Sequence, residues 1–485
     1  MNSTLRLAAL APLVSLLAAC ELAPTYHVPV TPTPVAFKEA PAGWTPARPA
    51  DDQARGPWWR MFGDPDLDTL EDQVTAANQD LKAAVARFDR ARAIAKVARA
   101  DLFPTINATA GETSGNLSRD VANPLPHQRY DDDVVGLSAS YELDVWGRVR
   151  DTARAARDQA EASAGDLAAV SLSLHAEAAI DYLTLRGLDA ETAVLDETIA
   201  AYASALDLTQ SRYKAGYAAE PDVSAAQTNL DLARARASEN RLNRARLEHA
   251  LAILAGEAPV AFTLPVRQVS FEPPPVAAAL PGDLLQRRPD IAAAERRVES
   301  ANYAIGAARA AFFPTFSLNA LVGTEARNPS ALFTGGATTW AAGAAGMLNL
   351  FDGGLRRGVD DKAHAELDEA AAHYRQAVLV AYGEVEDNLA ALRLLGEEDT
   401  SQASAVDAAT RSRTQAERRY TAGYANYYDV ITAQNIELSA KLDQVQIRYR
   451  RMNADVLLVK ALGGGWRLGD APTAQVAQNG KPATP

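Results

Sequence analysis

A stretch of this chain is written twice, 207 positions apart. Arg212-Tyr213-Lys214-Ala215-Gly216-Tyr217-Ala218-Ala219-Glu220-Pro221-Asp222-Val223-Ser224-Ala225-Ala226-Gln227 returns as Arg419-Tyr420-Thr421-Ala422-Gly423-Tyr424-Ala425-Asn426-Tyr427-Tyr428-Asp429-Val430-Ile431-Thr432-Ala433-Gln434, with 10 of 16 positions identical. Gly256 and Gly463 close the two copies at the same offset. Upstream, Phe103-Pro104-Thr105 returns as Phe313-Pro314-Thr315, and Asp80-Leu81 as Asp290-Ile291, now 210 apart. The three-residue difference belongs between the two sets of markers, in a loop. Ordered landmarks at one spacing require a single structural unit built twice.

Each unit opens with a helical stretch that runs into Phe-Pro-Thr, where proline ends the helix and suits a strand start. Val135, Leu137, Ala139, Tyr141 and Leu143 then alternate with Gly136, Ser138, Ser140, Glu142 and Asp144. Phe316, Leu318, Ala320 and Val322 alternate in the same way. Period two with one apolar face fits a membrane barrel strand, and also a half-buried strand of a soluble sheet, which is the commoner case. The Ala/Gly-rich segment 338–351 is less clear.

No proline occurs between Pro126 and Pro221, or between Pro329 and Pro472. Ala153, Ala156, Ala160, Ala164, Leu167, Val170, Leu174 and Ala178 follow helical spacing. The spans 147–216 and 354–423 read as helices of roughly 100 Å. Gly216 and Gly423 suit helix C-termini, and Asp222 and Asp429 suit N-caps of the returning helices. The expected organisation is a first repeat at 61–264, with strands about 103–146, a long helix 147–216 and a return helix 222–256. A linker at 265–281 follows. The second repeat spans 282–465, with strands about 313–353, a long helix 354–423 and a return helix 429–463, before a tail at 466–485.

Arg6 and the apolar run Leu7–Ala19 read as a signal peptide, residues 1–19. The run ends Leu17-Ala18-Ala19-Cys20, which resembles a bacterial lipobox, so acylation of Cys20, the only cysteine, is expected. Glu21 in place of an Asp favours the outer membrane. Residues 20–60 are proline-rich and read as an extended tether. Trp58 and Trp59 are expected to pin it to the body. With 48 basic and 61 acidic residues the chain has a net charge of −13, which argues against a nucleic-acid partner. The six histidines are scattered and read as structural or solvated, with no metal and no cofactor expected. No Ser-His-Asp arrangement or phosphate loop points to an enzyme. Glu384, Glu386, Glu397 and Glu398 read as exposed helix acids.

Two strands from each copy cannot close a barrel, because the smallest membrane barrels need about eight. If the strands enter lipid, several subunits must pool them.

In this order and spacing, the chain resembles the TolC family of outer membrane efflux proteins, in its lipidated NodT/OprM-type branch. The resemblance rests on the lipobox, both Phe-Pro-Thr entries, Leu143-Asp144-Val145-Trp146-Gly147-Arg148, Leu350-Phe351-Asp352-Gly353-Gly354, Arg287-Arg288-Pro289-Asp290-Ile291 and the two Arg-Tyr-x-Ala-Gly-Tyr turns. It implies a mainly α protein with a membrane β-barrel. A homotrimer with four strands per chain would form a twelve-stranded barrel and a twelve-helix periplasmic tunnel. The tunnel would dock a periplasmic adaptor and an inner-membrane pump of the RND type or similar, as the passive exit duct for drugs or other small molecules. A lipid-anchored periplasmic adaptor and a helical spacer are the competing readings. The duplication argues against the first, and the alternating strand against the second.

The resemblance also puts the duplicated turns at the periplasmic tip. Matched to the motif, Tyr428, Asp429 and Thr432 are the gate positions, with three Asp429 carboxylates forming an acidic ring. Capping of a helix is the alternative role for Asp429. One branch of the family carries Asp where this chain has Thr432. Gly216, Asp222 and Gly423 are the tip positions for adaptor docking, with helix termination as the alternative for the glycines. Tyr213, Tyr217, Tyr420 and Tyr424 are expected to pack in the interior. Trp146 and Trp340 are expected at the membrane interface, and Asp131-Asp132-Asp133 in a solvated loop ahead of a strand.

Overall fold

The computed structural model describes residues 22–32, 34, 36–40, 57–116, 118, 120, 129–269, 271 and 288–464. Cys20, the span 1–19 and the tail 466–485 lie outside the described residues, as do 270 and 272–281 of the linker. A 3-10 turn (Trp58–Phe62) leads into α1 (Pro65–Ala77) and α2 (Gln79–Ala100). Strands β1 (Thr105–Asn116) and β2 (Arg129–Leu143) precede α3 (Arg148–Lys214) and α4 (Glu220–Leu254). The second copy runs α5 (Pro289–Ala310), β3 (Thr315–Ala326), β4 (Thr338–Met347), α6 (Leu355–Thr421) and α7 (Tyr427–Ala461).

The duplication holds element by element. α3 and α6 have 67 residues each, α4 and α7 35 each, α2 and α5 22 each, and β1 and β3 12 each. The three-residue slip falls between the end of the first strand and the start of the long helix, where β2 has 15 residues and β4 has 10. Among the described residues no helix is long and apolar enough to cross a membrane.

The chain divides into two compact units. Of the described residues, the first gathers those within 22–30, 87–163 and 293–375, and holds the sheet. Its strands run in the order β1-β2-β3-β4, all antiparallel neighbours. Val135, Leu137, Ala139 and Tyr141 pair with Thr324, Val322, Ala320 and Leu318, and Val322 pairs with Trp340. Directly opposed residues share a face, so the apolar sets of β2 and β3 coincide. Gly136 opposes Gly323, where a Cβ on Gly323 would lie 2.5 Å from the Val135 carbonyl oxygen. The acidic run Asp131-Asp132-Asp133 is part of β2, not of a loop before it. Ser114 Oγ on β1 donates to Asp131 at 2.6 Å, so the hairpin pairs further out than the alternation alone indicated. In the same unit, Asn302 Nδ2 on α5 donates to the Pro24 carbonyl at 2.7 Å.

Of the described residues, the second unit gathers those within 31–86, 164–292 and 376–464. Its core joins Trp59, Leu67, Leu70 and Val74 to Ala178, Tyr182 and Leu185 of α3, Leu251 of α4 and Val456 of α7. Trp59 is buried and stacks on His175, with ring centroids 4.5 Å apart. His175 Nδ1 lies 2.6 Å from Glu71 Oε2, and burial raises the Glu71 carboxyl above its ordinary range. Arg186, fully buried, donates to Asp189 at 2.9 Å and to the Pro265 carbonyl at 2.7 Å. Arg244 holds Asp189 from its other side at 2.7 Å, and Arg267 pairs with Asp64. These pairs fasten the proline-interrupted segment after α4, which has no regular structure to hold itself.

Residues 36–40 are docked rather than a free tether. Phe37 is buried against Val385, Leu389, Leu458 and Ala461. The Lys38 and Glu39 amides donate to the Glu386 carboxylate at 2.7 and 2.9 Å, and Glu384 pairs with Arg288. Neither glutamate is a merely solvated helix acid.

Arg186→Ala is expected to cost about 2–3 kcal/mol and lower the unfolding midpoint in detergent. The loss is below that for an isolated buried pair because Arg244 stays on Asp189. Arg393→Ala, at a solvent-screened pair, is expected to leave the midpoint nearly unchanged in the same measurement. Burial pushes the Asp455 carboxyl up to about 7, against the opposing charge of Arg451. The folded state therefore holds that proton where the unfolded chain has lost it. Stability from this group is full below about pH 4 and falls as pH rises to about 7. Asp455→Asn is expected to flatten that decline and to melt higher than wild type at pH 8, read from melting midpoints across the range.

Candidate functional site

The sheet presents one continuous apolar face: Ile106 on β1, Val135, Leu137, Tyr141 and Leu143 on β2, Phe316, Leu318 and Val322 on β3, and Trp340 on β4. Leu137 is 51% exposed, Val322 53%, Ile106 69% and Trp340 75%. Asn107, Ser138, Ser140, Ser317 and Asn319 take the opposite face. An exposed apolar face backed by a polar one suits lipid on one side and water on the other. The two outer strands, β1 and β4, each have a neighbour on one side only. Trp340 projects from the apolar face. Trp146 instead is half-buried below the sheet, where its Nε1 donates to the Pro314 carbonyl at 2.8 Å and its ring stacks on Phe313 at 4.7 Å.

The duplicated turns form a second cluster, within the second unit. α3 ends with Gly216 at φ +79°, and α6 with Gly423 at φ +82°. This left-handed region favours glycine and lets the chain reverse. The Tyr217 amide donates to the Arg212 carbonyl and the Tyr424 amide to the Arg419 carbonyl, both at 2.8 Å. The two turns are the same object.

Their caps differ, and both aspartates lie one turn inside the position expected of them. α4 starts at Glu220, with Ala219 ahead of it, and α7 starts at Tyr427, with Asn426 ahead of it. Asp222 and Asp429 are therefore third residues of their helices, not N-caps. Asn426 Oδ1 accepts the Asp429 amide at 3.0 Å and does the capping itself. Ala219 has no side-chain acceptor, and there the Asp222 carboxylate reaches back to the Ala219 amide at 3.2 Å. The Asp429 carboxylate, relieved of that duty, is exposed. Tyr428, Asp429 and Thr432 share one exposed face of α7, with Thr432 Oγ1 donating to the Tyr428 carbonyl at 2.9 Å. Tyr427, Val430 and Ala433 take the buried face.

Of the four turn tyrosines only Tyr420 is buried. Tyr213 is 48%, Tyr424 79% and Tyr217 84% exposed, so the interior packing expected for them fails. The turn is too short to fold three rings under itself. Arg212 joins the copies: its guanidinium donates to the Tyr420 and Thr421 carbonyls at 2.9 and 2.7 Å and lies over the Tyr420 ring. Arg413 pairs with Glu417 at 2.7 Å and also with Glu437. These ties were not anticipated from the sequence. The recurrence of Arg-Tyr at 212 and 419 was the available signal for Arg212.

A lipid-suited sheet with unpaired edges, on a duplicated chain of long helices, defines a subunit of a membrane channel. The outer membrane efflux protein family model matches residues 70–257 and 280–464, and the chain belongs to that family. It is 33% identical over 488 residues to the probable efflux pump outer membrane protein TtgC of Pseudomonas putida, covering 99% of each chain. A crystal structure of a membrane protein from Pseudomonas aeruginosa matches with a TM-score of 0.85 at 31% identity, over 92% of this chain and 98% of that one. The open state of the Neisseria gonorrhoeae MtrE outer membrane channel matches at 0.80 and 28%, over 94% and 100%. The protein is an outer membrane efflux channel, and the adaptor and spacer readings fall.

Asn426→Ala is expected to fray the start of α7 and cost about 1 kcal/mol. Asp429→Asn is expected to stay within about 0.5 kcal/mol, since only a helix-dipole contribution changes. Thermal unfolding of both variants separates the cap from the neighbouring carboxylate.

Proposed function

We propose that three copies pool their sheets into one twelve-stranded barrel and their helices into a periplasmic tunnel, open passively to drugs or other small molecules. The observation that supports this most is the four-stranded sheet with an exposed apolar face and two edges to be paired. Four strands are too few to close, and a cyclic assembly pairs every edge. Trp340 and Trp146 mark the barrel's membrane interface in this reading. Cys20 carries the lipid anchor. The turns around Gly216, Asp222 and Gly423 dock a periplasmic adaptor, which joins the duct to an inner-membrane pump of the RND type or similar.

Tyr428, Asp429 and Thr432 form the periplasmic gate. What supports this is the exposed face they share and the release of Asp429 from capping. Three carboxylates around an axis attract cations and resist anions.

Native mass spectrometry in detergent tests the assembly: a species near three times the mature chain, with acyl mass on Cys20, is expected. In planar bilayers Asp429→Ala is expected to lower the cation preference by about twofold or more. Unchanged selectivity would take Asp429 out of the constriction.

A further inference from the structure

α2 and α5 are the same helix of the two copies, yet one is packed and the other bare. On α5, Asn302, Gly306 and Ala310 form a buried stripe. Their counterparts on α2, 210 positions earlier, are Arg92, Lys96 and Ala100, all exposed. Ile94 and Val97 beside them are 56% and 70% exposed.

What covers α5 is on the page. It lies against α3 of the other copy: Ser300 Oγ donates to the Ala155 carbonyl at 2.9 Å, and Arg296 pairs with Glu161 at 3.6 Å. Arg154 of α3 lies over the Tyr303 ring. At Gly306 the approach is so close that a Cβ would collide with the Asp151 carboxylate and with Ala23. The repeat carries this contact to a new pair of helices. α5 becomes α2 at an offset of 210, and α3 becomes α6 at 207. Among the described residues of the single chain, this face of α2 stays exposed.

We propose that α2 of one copy docks on the upper part of α6 of the next, with Lys96 paired to Asp361. The inference rests on the three-copy reading and supplies its helical contact. Three observations carry it. Where α5 has Gly306 against Asp151, the equivalent positions are Lys96 on α2 and Gly358 on α6. The bulky and bare sides are exchanged, and Gly358 has open space around it. Arg154, over Tyr303, becomes Asp361, one turn from Gly358 and opposite Ala93, which lies three residues from Lys96 on the same side of α2. Lys96 and Asp361 are both exposed, and neither has an ion-pair partner among the described residues.

The wider charge pattern is mixed. α2 carries Arg87, Arg90 and Arg99 with Asp89 among them, and α6 carries Glu366, Asp368 and Glu369 with Lys362 before them. Ser300 and Ala155 become Arg90 and Lys362, and Lys362 is already paired with Glu366 at 2.7 Å. Ala23 and Pro24 fill the groove beside Gly306 and Asn302. Among the described residues no such segment covers α2, where the exposed Arg92 and Lys96 stand at the equivalent positions.

The test uses the full chain with Lys96→Cys and Asp361→Cys together, treated with a short bismaleimide in native membranes. Covalent dimers and trimers on a denaturing gel are expected, and each single variant should give none. Reversal of one charge, Lys96→Glu or Asp361→Lys, is expected to lower the trimer fraction on heating about threefold, and the double reversal to restore it. A protein that is trimeric by native mass but gives no ladder, or only a bridged monomer, overturns this contact and leaves the three-copy reading standing. A monomer by native mass overturns both.

Discussion

A backbone amide or carbonyl left without a partner in hydrocarbon costs several kcal/mol, and the four-stranded sheet has two edges that a single chain leaves unpaired. Much of the architecture answers that constraint. The alternation of β2 and β3 brings most of the large apolar residues of the sheet to one face, with Val134, Leu321 and Met347 on the other, while glycines at 136 and 323 let the central strands approach closely. Such a sheet is no sandwich half, because nothing among the described residues covers its apolar side. In the proposed assembly lipid covers it, and further copies of the chain complete the edges.

The helical hairpins obey a different rule. They are held at their ends, where four amides and four carbonyls lack intrahelical partners. The duplicated turns solve the C-terminal half identically, with glycine in the left-handed region. They solve the N-terminal half differently: Asn426 caps α7, whereas Asp222 reaches back in α4. This divergence leaves one acidic side chain per chain exposed beside Tyr428 and Thr432. Arg212 adds a cross-tie by taking the last carbonyls of the other copy's long helix. A guanidinium at a helix C-terminus is well placed both for hydrogen bonding and for the helix dipole.

The irregular segments are fastened by charge and by single aromatic anchors. Arg186 and Arg244 share Asp189 and reach the carbonyls of the chain after α4. Phe37 and Glu386 dock residues 36–40. Trp59 and His175 fix the entry into α1. Apart from Arg186–Asp189 and the bond from Arg244 to the Leu264 carbonyl, these contacts join residues more than 50 positions apart, so no periodicity announces them.

The sequence by itself determined the duplication, the lengths of the long helices, the strand entries at Thr105 and Thr315 and the turn glycines. All of these depend on local chemistry: proline stops a helix, glycine reverses a chain, and apolar residues recur at the period of the element that buries them. Only the tertiary structure decided which aspartate caps and which is released, because that turns on whether Ala219 or Asn426 precedes the helix by the right number of residues. It also decided that Asp131–Asp133 lie within a strand, that three of the four turn tyrosines stay outside, and that α5 is covered while α2 is bare. These depend on what stands opposite a residue in space, and the contacts that set them join parts of the chain that no local pattern connects.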